Sequence, residues 1–331
     1  MGEMIRDLVS IITPCYNTGN LLPRLLNSIL IQDYPSVEIF AIDDGSMDNT
    51  SDVIKEYLPK FEARGYHLTY IYQDNSGQSV AINKGLKIIR GEYLVWPDSD
   101  DYYSTPDALS KMVDVLKNTD DSVSIVRCLA EFIDESSLQV INRYVPTEQT
   151  DWFEDFLFAR PNVWFCPGCY MAKVKLIDET IKDREIYTEK DAGQNWQLLL
   201  PLLYKRICIT INEYHYKILC RTASHSRGQY QNYEEIIRRI RAYENTLVST
   251  LCKMSFIPKE QKEKYLYDIH VKYLLECYER SCIFLKRKMA LKYQKELKTK
   301  YGVNIPLYER EKMLFLCFYR RMKTYIREII C

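Results

Sequence analysis

The densest group of reactive side chains in this sequence is Asp98-Ser99-Asp100-Asp101, directly after the apolar run Tyr93 to Trp96. Carboxylates this close raise one another's pKa unless a cation neutralises them. Oxygen ligands of this kind suit Mg²⁺ or Mn²⁺, ions that typically share their shell with substrate phosphates. A solvated acidic turn ahead of a helix is the plainer reading, since Thr105-Pro106-Asp107 follows closely. A second group, Asp43-Asp44-Gly45-Ser46, follows the run Val37 to Ile42. A carboxylate there could accept a pyrimidine imino proton or a ribose hydroxyl, although an Asp/Gly turn feeding a helix has the same sequence. The third group is Thr13-Pro14-Cys15-Tyr16-Asn17, where Tyr16 offers an aromatic face to a base and Asn17 suits a turn.

All three groups sit where strands end. Leu8 to Thr13 and Val37 to Ile42 are continuous apolar runs, as expected of strands buried on both faces. His67 to Tyr72 and Tyr93 to Trp96 read as a third and fourth strand. Between them lie helical patterns, one carrying Leu21, Leu22, Leu25, Leu26, Ile29 and Leu30, another spanning Val80 to Ile89, with Asp48 or Asn49 placed to cap the helix after the second strand. Alternation of this kind predicts an α/β fold with a mostly parallel sheet flanked by helices. Open sheets of that class bind ligands outside the carboxyl ends of their strands. Neither a Gly-x-Gly-x-x-Gly after the first strand nor a Gly-x-x-x-x-Gly-Lys-Ser/Thr occurs, which disfavours dinucleotide oxidoreductases and P-loop enzymes.

Forty-five basic and 45 acidic residues balance overall, so net charge gives no pointer to nucleic acid. The distribution is uneven: Lys286 to Cys331 holds thirteen basic and four acidic residues. From about Glu234 long helical patterns run to about Tyr301, broken near Pro258, and the last segment mixes Phe315, Leu316, Phe318, Ile326 and Ile329 with Arg320, Arg321, Lys323 and Arg327. Such a tail reads either as an amphipathic helix meeting anionic headgroups or as a terminal helix with a solvated basic face. The eleven cysteines are scattered, and Cys166-Pro-Gly-Cys169 has no second pair or neighbouring His to complete a zinc site. No run approaches the roughly 18 apolar residues of a bilayer span, and the first residues lack a signal-peptide core, so a cytoplasmic location is expected.

The order Val9-Ser-Ile-Ile-Thr-Pro-Cys-Tyr-Asn17, Ile42-Asp-Asp-Gly-Ser46, Gln73-Asp-Asn-Ser-Gly77 with Asn83-Lys-Gly85, and Gly91-Glu-Tyr-Leu-Val-Trp-Pro-Asp-Ser-Asp-Asp101 resembles the family 2 glycosyltransferases over roughly residues 7 to 230. The resemblance implies a GT-A type fold, a nucleoside-diphosphate sugar donor (usually a uridine one), Mn²⁺ or Mg²⁺, and inversion at the anomeric carbon. It assigns Pro14, Tyr16, Asn17, Asp43 and Asp44 to the base side, with Asp74, Asn75 and Asn83 lining the nucleotide pocket. It sets Asp100 and Asp101 at the donor ribose and the metal–diphosphate, with Asp98 supporting them in the nucleotide site. It further implies a catalytic domain over 1–230, with a nucleotide half to about 130 and an acceptor half beyond, and a helical region over 231–331. Members that build capsular polysaccharide or O-antigen use saccharide or lipid-linked acceptors, which fits a basic tail at the inner face of a membrane.

Two departures stand out. Ile82 occupies a position where many members carry Arg, and Gln194-Asn195 occupies the place of a Glu-Asp pair whose Asp serves as base. An amide cannot accept the proton, so Asp191 becomes the candidate base and Glu189 the second, unless both only decorate a helix start. His225, between Arg221 and Arg227, is a candidate metal or phosphate ligand, though a lone His is commonly structural. The missing Glu-Asp pair also suits a rival reading, an inactive nucleotide-sugar binding or scaffold protein. A sugar-nucleotide pyrophosphorylase is a weaker rival, because it would want a Gly-rich basic loop where Pro14-Cys15-Tyr16 stands.

Overall fold

The computed structural model describes residues 3–146, 151–160, 163–189, 191–221 and 232–305. Its chain divides into two compact units, Met1–Thr222 and Ala223–Cys331. The first opens with β1 (Ile5–Cys15), α1 (Leu22–Leu30), β2 (Val37–Asp44), α2 (Thr50–Arg64), β3 (His67–Gln73), α3 (Gln78–Ile88) and β4 (Gly91–Val95). These strands pair in parallel, β3 on β2, β2 on β1 and β1 on β4. Every residue of β2 is buried, as its unbroken apolar run requires of a strand covered on both faces.

There follow β5 (Tyr102–Tyr103), α4 (Ala108–Lys117), β6 (Val123–Asp134), β7 (Val140–Arg143), α5 (Trp152–Leu157), β8 (Tyr170–Lys173), α6 (Val174–Thr180), α7 (Gln194–Leu203) and β9 (Ile207–Cys220). They extend one nine-stranded sheet in the order β3-β2-β1-β4-β8-β6-β9-β5, with β7 on β6. Here the sheet turns mixed: β8 runs antiparallel to β4 and β6, while β6 and β9 are parallel. The parallel half is therefore the expected alternating fold, and the acceptor-side half adds antiparallel pairing that short strands without clear alternation concealed.

Strand order creates the binding crevice. From β1 the chain steps outward to β2 and β3, then returns to the other side of β1 as β4, a topological switch at which open α/β sheets take their ligands. The β1–β4 ladder ends at Ile11 and Val95, whereas β1 stays paired with β2 as far as Cys15 and Asp43. Pro14, lacking an N–H, is tolerated because it lies beyond the end of β4.

The opposite end of these strands is pinned by one buried carboxylate. Glu38 is 1% exposed and accepts from Ser10 Oγ at 2.6 Å and Arg90 N at 2.7 Å, while its other oxygen meets the Arg90 guanidinium at 3.3 Å. Ser10 Oγ in turn accepts from Gly91 N at 2.8 Å. A Cβ on Gly91 would lie 2.6 Å from Leu8 O, so only glycine lets β4 start this close to β1.

The second unit contains α8 (Tyr233–Lys253), α9 (Lys259–Ile283) and α10 (Arg287–Tyr301). Asn232 caps α8 by accepting from Glu235 N at 2.9 Å, Pro258 starts α9, and Gly302 ends α10 in the left-handed region at φ 69°. Glu244, 5% exposed, accepts from Arg241 within α8 and from His270 Nδ1 of α9 at 2.7 Å. Among the described residues no helix is long and apolar enough to cross a membrane. Most of the basic tail lies outside the described residues.

Candidate active site

The loops after β1, β2 and β3 form one hydrogen-bonded rim. Asp43 and Asp44, at the end of β2, are 1% and 5% exposed. Asp44 accepts from Gln73 Nε2 at 2.6 Å, Ser76 N at 2.8 Å and Gly77 N at 2.9 Å, so its charge faces the amide-rich start of α3. Asp43 accepts from Ser46 N at 2.8 Å and from the Tyr70 hydroxyl at 3.0 Å. Burial, with Asp43 adding to it, pushes the Tyr70 phenol up to about 12. Gly45 takes φ 78°, and a Cβ there would lie 2.7 Å from Asn75 N, which makes glycine necessary where the two loops touch.

Asn17, at φ 51°, joins the rim from β1: its Oδ1 accepts from Met47 N at 2.8 Å and its N–H donates to Ser46 Oγ at 2.9 Å. Tyr16 beside it is 41% exposed, leaving an aromatic surface at the crevice mouth. Asp74 is exposed on the same rim. Asn83 lies deeper, where both ends of its amide hold the Ile186 backbone at 3.0 and 2.9 Å, tying α3 to the segment before α7. Ile82 is fully buried, so the position where many members carry Arg faces the core here.

Across the crevice, after β4, stand the three carboxylates. Asp98 is half-buried and accepts from Gln78 Nε2 at 2.9 Å and from Gln194. Burial, then the charge of Asp100, pushes its pKa up to about 7. Asp101 is 5% exposed and accepts from Leu219 N at 2.8 Å; burial, then Asp100 and Asp98, holds its pKa well above the carboxylate range. Asp100 pairs with Arg221, at the end of β9. Among the described residues, Arg221 is the basic side chain ion-paired with this cluster.

A hard cation is the natural counter-charge for such a cluster. Among the described residues no three His, Cys, Asp or Glu side chains converge as a ligand group. A cation here would thus take one or two carboxylates from the protein and the rest from phosphate and water, as Mg²⁺ and Mn²⁺ commonly do. Asp98 and Asp100 are partly exposed, whereas Asp101 is buried and held by Leu219 N. His225 lies outside the described residues.

Helix α7 borders the same cluster. Gln194, 2% exposed, donates to Asp98, a bond that an ionised Glu in its place could not make, because a carboxylate only accepts and would add a fourth negative charge. Asn195 works in both directions, accepting from Trp96 Nε1 at 3.4 Å and donating to Phe165 O at 3.1 Å. Both amides are thereby built into the frame. Asp191 is half-buried on the turn before α7, and Ala192 O of that turn accepts from Ser79 Oγ of α3. Glu189 is exposed and accepts from the Tyr187 hydroxyl at 2.8 Å. Trp164 is 3% exposed, and Trp196 donates to Phe156 O at 2.8 Å, so both rings belong to packing more than to an open acceptor floor. Cys166 and Cys169 are buried thiols beside Cys128.

Residues 10–180 match the family model described as Glycosyl transferase family 2. The chain belongs to that family. An uncharacterized glycosyltransferase of Rickettsia typhi is 36% identical over 130 residues, covering 39% of this chain and 38% of that protein. A Bacillus subtilis protein provisionally named a teichuronic acid biosynthesis glycosyltransferase, TuaG, is 37% identical over 111 residues, 34% of this chain and 42% of its own length. The chain thus matches well under half the length of these relatives. Among solved structures, S. aureus TarS 1–349 in complex with UDP-GlcNAc superposes with TM-score 0.62 at 15% identity, covering 96% of this chain and 88% of the other. The Pyrobaculum calidifontis mannosyltransferase PcManGT, in complex with GDP-Man and Mn²⁺, gives TM-score 0.55 at 19% identity over 98% and 85%. At such identities the likeness is one of fold, and that fold is the GT-A type.

In this family 2 chain the acid cluster has a measurable signature. A carboxyl whose pKa is higher folded than unfolded binds more protons in the folded state, so stability falls as pH rises between the two values. For Asp98 that window runs from the ordinary 3.8 to about 7, and Asp101 acts in the same sense. Thermal melts without divalent ions are expected to lose Tm from pH 5 to pH 8, and millimolar Mn²⁺ should restore most of the loss at pH 8. The same melts on Asp98→Asn should show a flatter pH profile; an unchanged one would remove Asp98 from the account.

Proposed function

We propose that this chain transfers a sugar from a nucleoside-diphosphate donor, of the uridine kind, to a saccharide or lipid-linked saccharide acceptor, with inversion, in the assembly of a surface polysaccharide. The supporting observation is the placement of three carboxylates with one guanidinium at the switch point of a GT-A sheet, opposite an exposed Tyr16. Family membership supports the reaction class, and the name given to the Bacillus relative favours the polysaccharide role.

Each residue has a task that follows from its geometry. Tyr16 stacks on the base, and the Asp43–Asp44–Asn17 network fixes the loops that flank it. Asp98 and Asp100 face ribose and diphosphate. Asp100 would hold a divalent cation, which would supply counter-charge for the departing diphosphate. Arg221, already at Asp100, adds a second positive charge on that side. A base must take the proton of the attacking hydroxyl, a role worth about 10²–10⁴-fold. Asp191 has that role, with Glu189 the second candidate, because Gln194 and Asn195 hold Asp98, Trp96 and Phe165 instead.

Those two amides are also what favours the rival reading of an inactive donor-binding protein. A panel of nucleotide sugars with Mn²⁺ separates the two. The wild type should release nucleoside diphosphate from at least one donor, Asp100→Asn should lose at least about 100-fold, and Asp191→Asn should lose transfer while retaining donor binding. Donor binding with no turnover of any member would establish the rival.

Contact with an anionic membrane surface belongs to the same proposal. On α10, Lys288, Lys292, Lys295 and Lys298 are exposed on one face with Leu291, which is 54% exposed, while Ala290, Tyr293 and Leu297 are buried on the other. Cations near an anionic leaflet contribute about 1 kcal/mol each. The full chain is expected to float with vesicles rich in anionic lipid and not with zwitterionic ones, and Lys292→Glu with Lys295→Glu should reduce the bound fraction several-fold. Equal flotation of both proteins would remove α10 from the contact.

A further inference from the structure

The turn that carries Glu189 and Asp191 is gripped from two helices by buried polar side chains. Gln197, on α7, is 3% exposed and joins the two ends of that turn. Its Oε1 accepts from Tyr187 N, and its Nε2 donates to Tyr187 O at 3.0 Å and to Gly193 O at 3.1 Å. From α3, Ser79, 1% exposed, donates its hydroxyl to Ala192 O, directly after Asp191. Asn83, one helical turn further along α3, holds both the N–H and the carbonyl of Ile186. Within the turn, Ala192 N donates to Glu189 O at 2.9 Å.

A glutamine amide offers one acceptor oxygen and two donor hydrogens, and at Gln197 all three engage backbone atoms at the two ends of the turn. An ionised glutamate of the same length could accept from Tyr187 N, but it would face two carbonyl oxygens with no hydrogen to give. A buried polar group with every bond made rigidifies what it touches. The same two helices also hold the acid cluster. Gln194 lies three residues before Gln197, on the same face of α7, and donates to Asp98. Gln78, next to Ser79 at the start of α3, donates to Asp98 at 2.9 Å. Each helix therefore holds Asp98 with one side chain and the Asp191 turn with another.

We infer that Gln197 is a positioning residue: it fixes the turn carrying Asp191 relative to Asp98, and so sets the base against the donor. The inference rests on the reading of Asp191 as the base. A base must stand within hydrogen-bond reach of the proton it takes, and a misplacement of about 1 Å can cost on the order of 10²-fold in rate.

Two measurements on the full chain test it. Gln197→Leu should speed hydrogen exchange at the Tyr187 and Ala192 amides at least about tenfold, with UDP–Mn²⁺ affinity kept within about twofold of the wild type. With the donor that the nucleotide-sugar panel identifies, the same variant should lower kcat at least about tenfold and leave donor KM within about twofold. Combining it with Asp191→Asn should then cost no more than Asp191→Asn alone, because residues that act as one unit are not additive. If Gln197→Leu does not fold, Ser79→Ala, which removes only the bond to Ala192 O, carries the Ala192 exchange and the kinetics with the same directions. Full additivity of the two losses, a raised donor KM with kcat unchanged, or unaltered exchange in the turn overturns the proposal. Full activity of Asp191→Asn overturns the base reading and this role with it, whereas unaltered exchange beside an inactive Asp191→Asn overturns the positioning role alone.

Discussion

Mutual repulsion among Asp98, Asp100 and Asp101 is the constraint around which the first unit is arranged. Burial, and then the repulsion of three carboxylates within four residues, holds the pKa values of Asp98 and Asp101 above the carboxylate range, and among the described residues Arg221 pairs with Asp100. The fold holds them there by covalent proximity and by donors brought from distant elements: Gln78 from α3, Gln194 from α7 and the Leu219 amide from β9. Each donor is neutral, so each steadies a carboxylate without discharging it. What remains is a standing demand for positive charge at the switch point of the sheet.

The scaffold meets that demand with rigidity at both ends of the parallel strands. At one end Glu38 ties β1, β2 and the start of β4 together through Ser10 and Arg90. At the other, Asp44 and Asn17 lock three loops into one rim, with Gly45 permitting the close approach. Buried acids thus do opposite work in one sheet. Asp44 is matched by three amide donors, while Asp98 and Asp101 after β4 keep raised pKa values.

Much of this was legible from residue order. The parallel strands announce themselves by continuous apolar runs, and the polar groups that end them mark the crevice, because both signals are local. The antiparallel additions were not legible, since β8 has four residues and β5 two, too short for a period. The partners of Asp98 were hidden for another reason. Gln78 and Gln194 look like ordinary helix-start residues until the fold carries them to the same carboxylate. The departure of Gln194-Asn195 from the family pattern was visible as a loss of a base, but its structural sense, donors in place of extra negative charge, needed the geometry.

The central claim is that the acid cluster and a nucleoside diphosphate bind a divalent cation jointly, neither holding it well alone. Calorimetric titration of UDP into the full chain, with and without Mn²⁺, tests this most directly. The account predicts at least tenfold tighter UDP binding with Mn²⁺, and by linkage the same factor for Mn²⁺ binding with UDP present. UDP affinity unchanged by Mn²⁺ would contradict it.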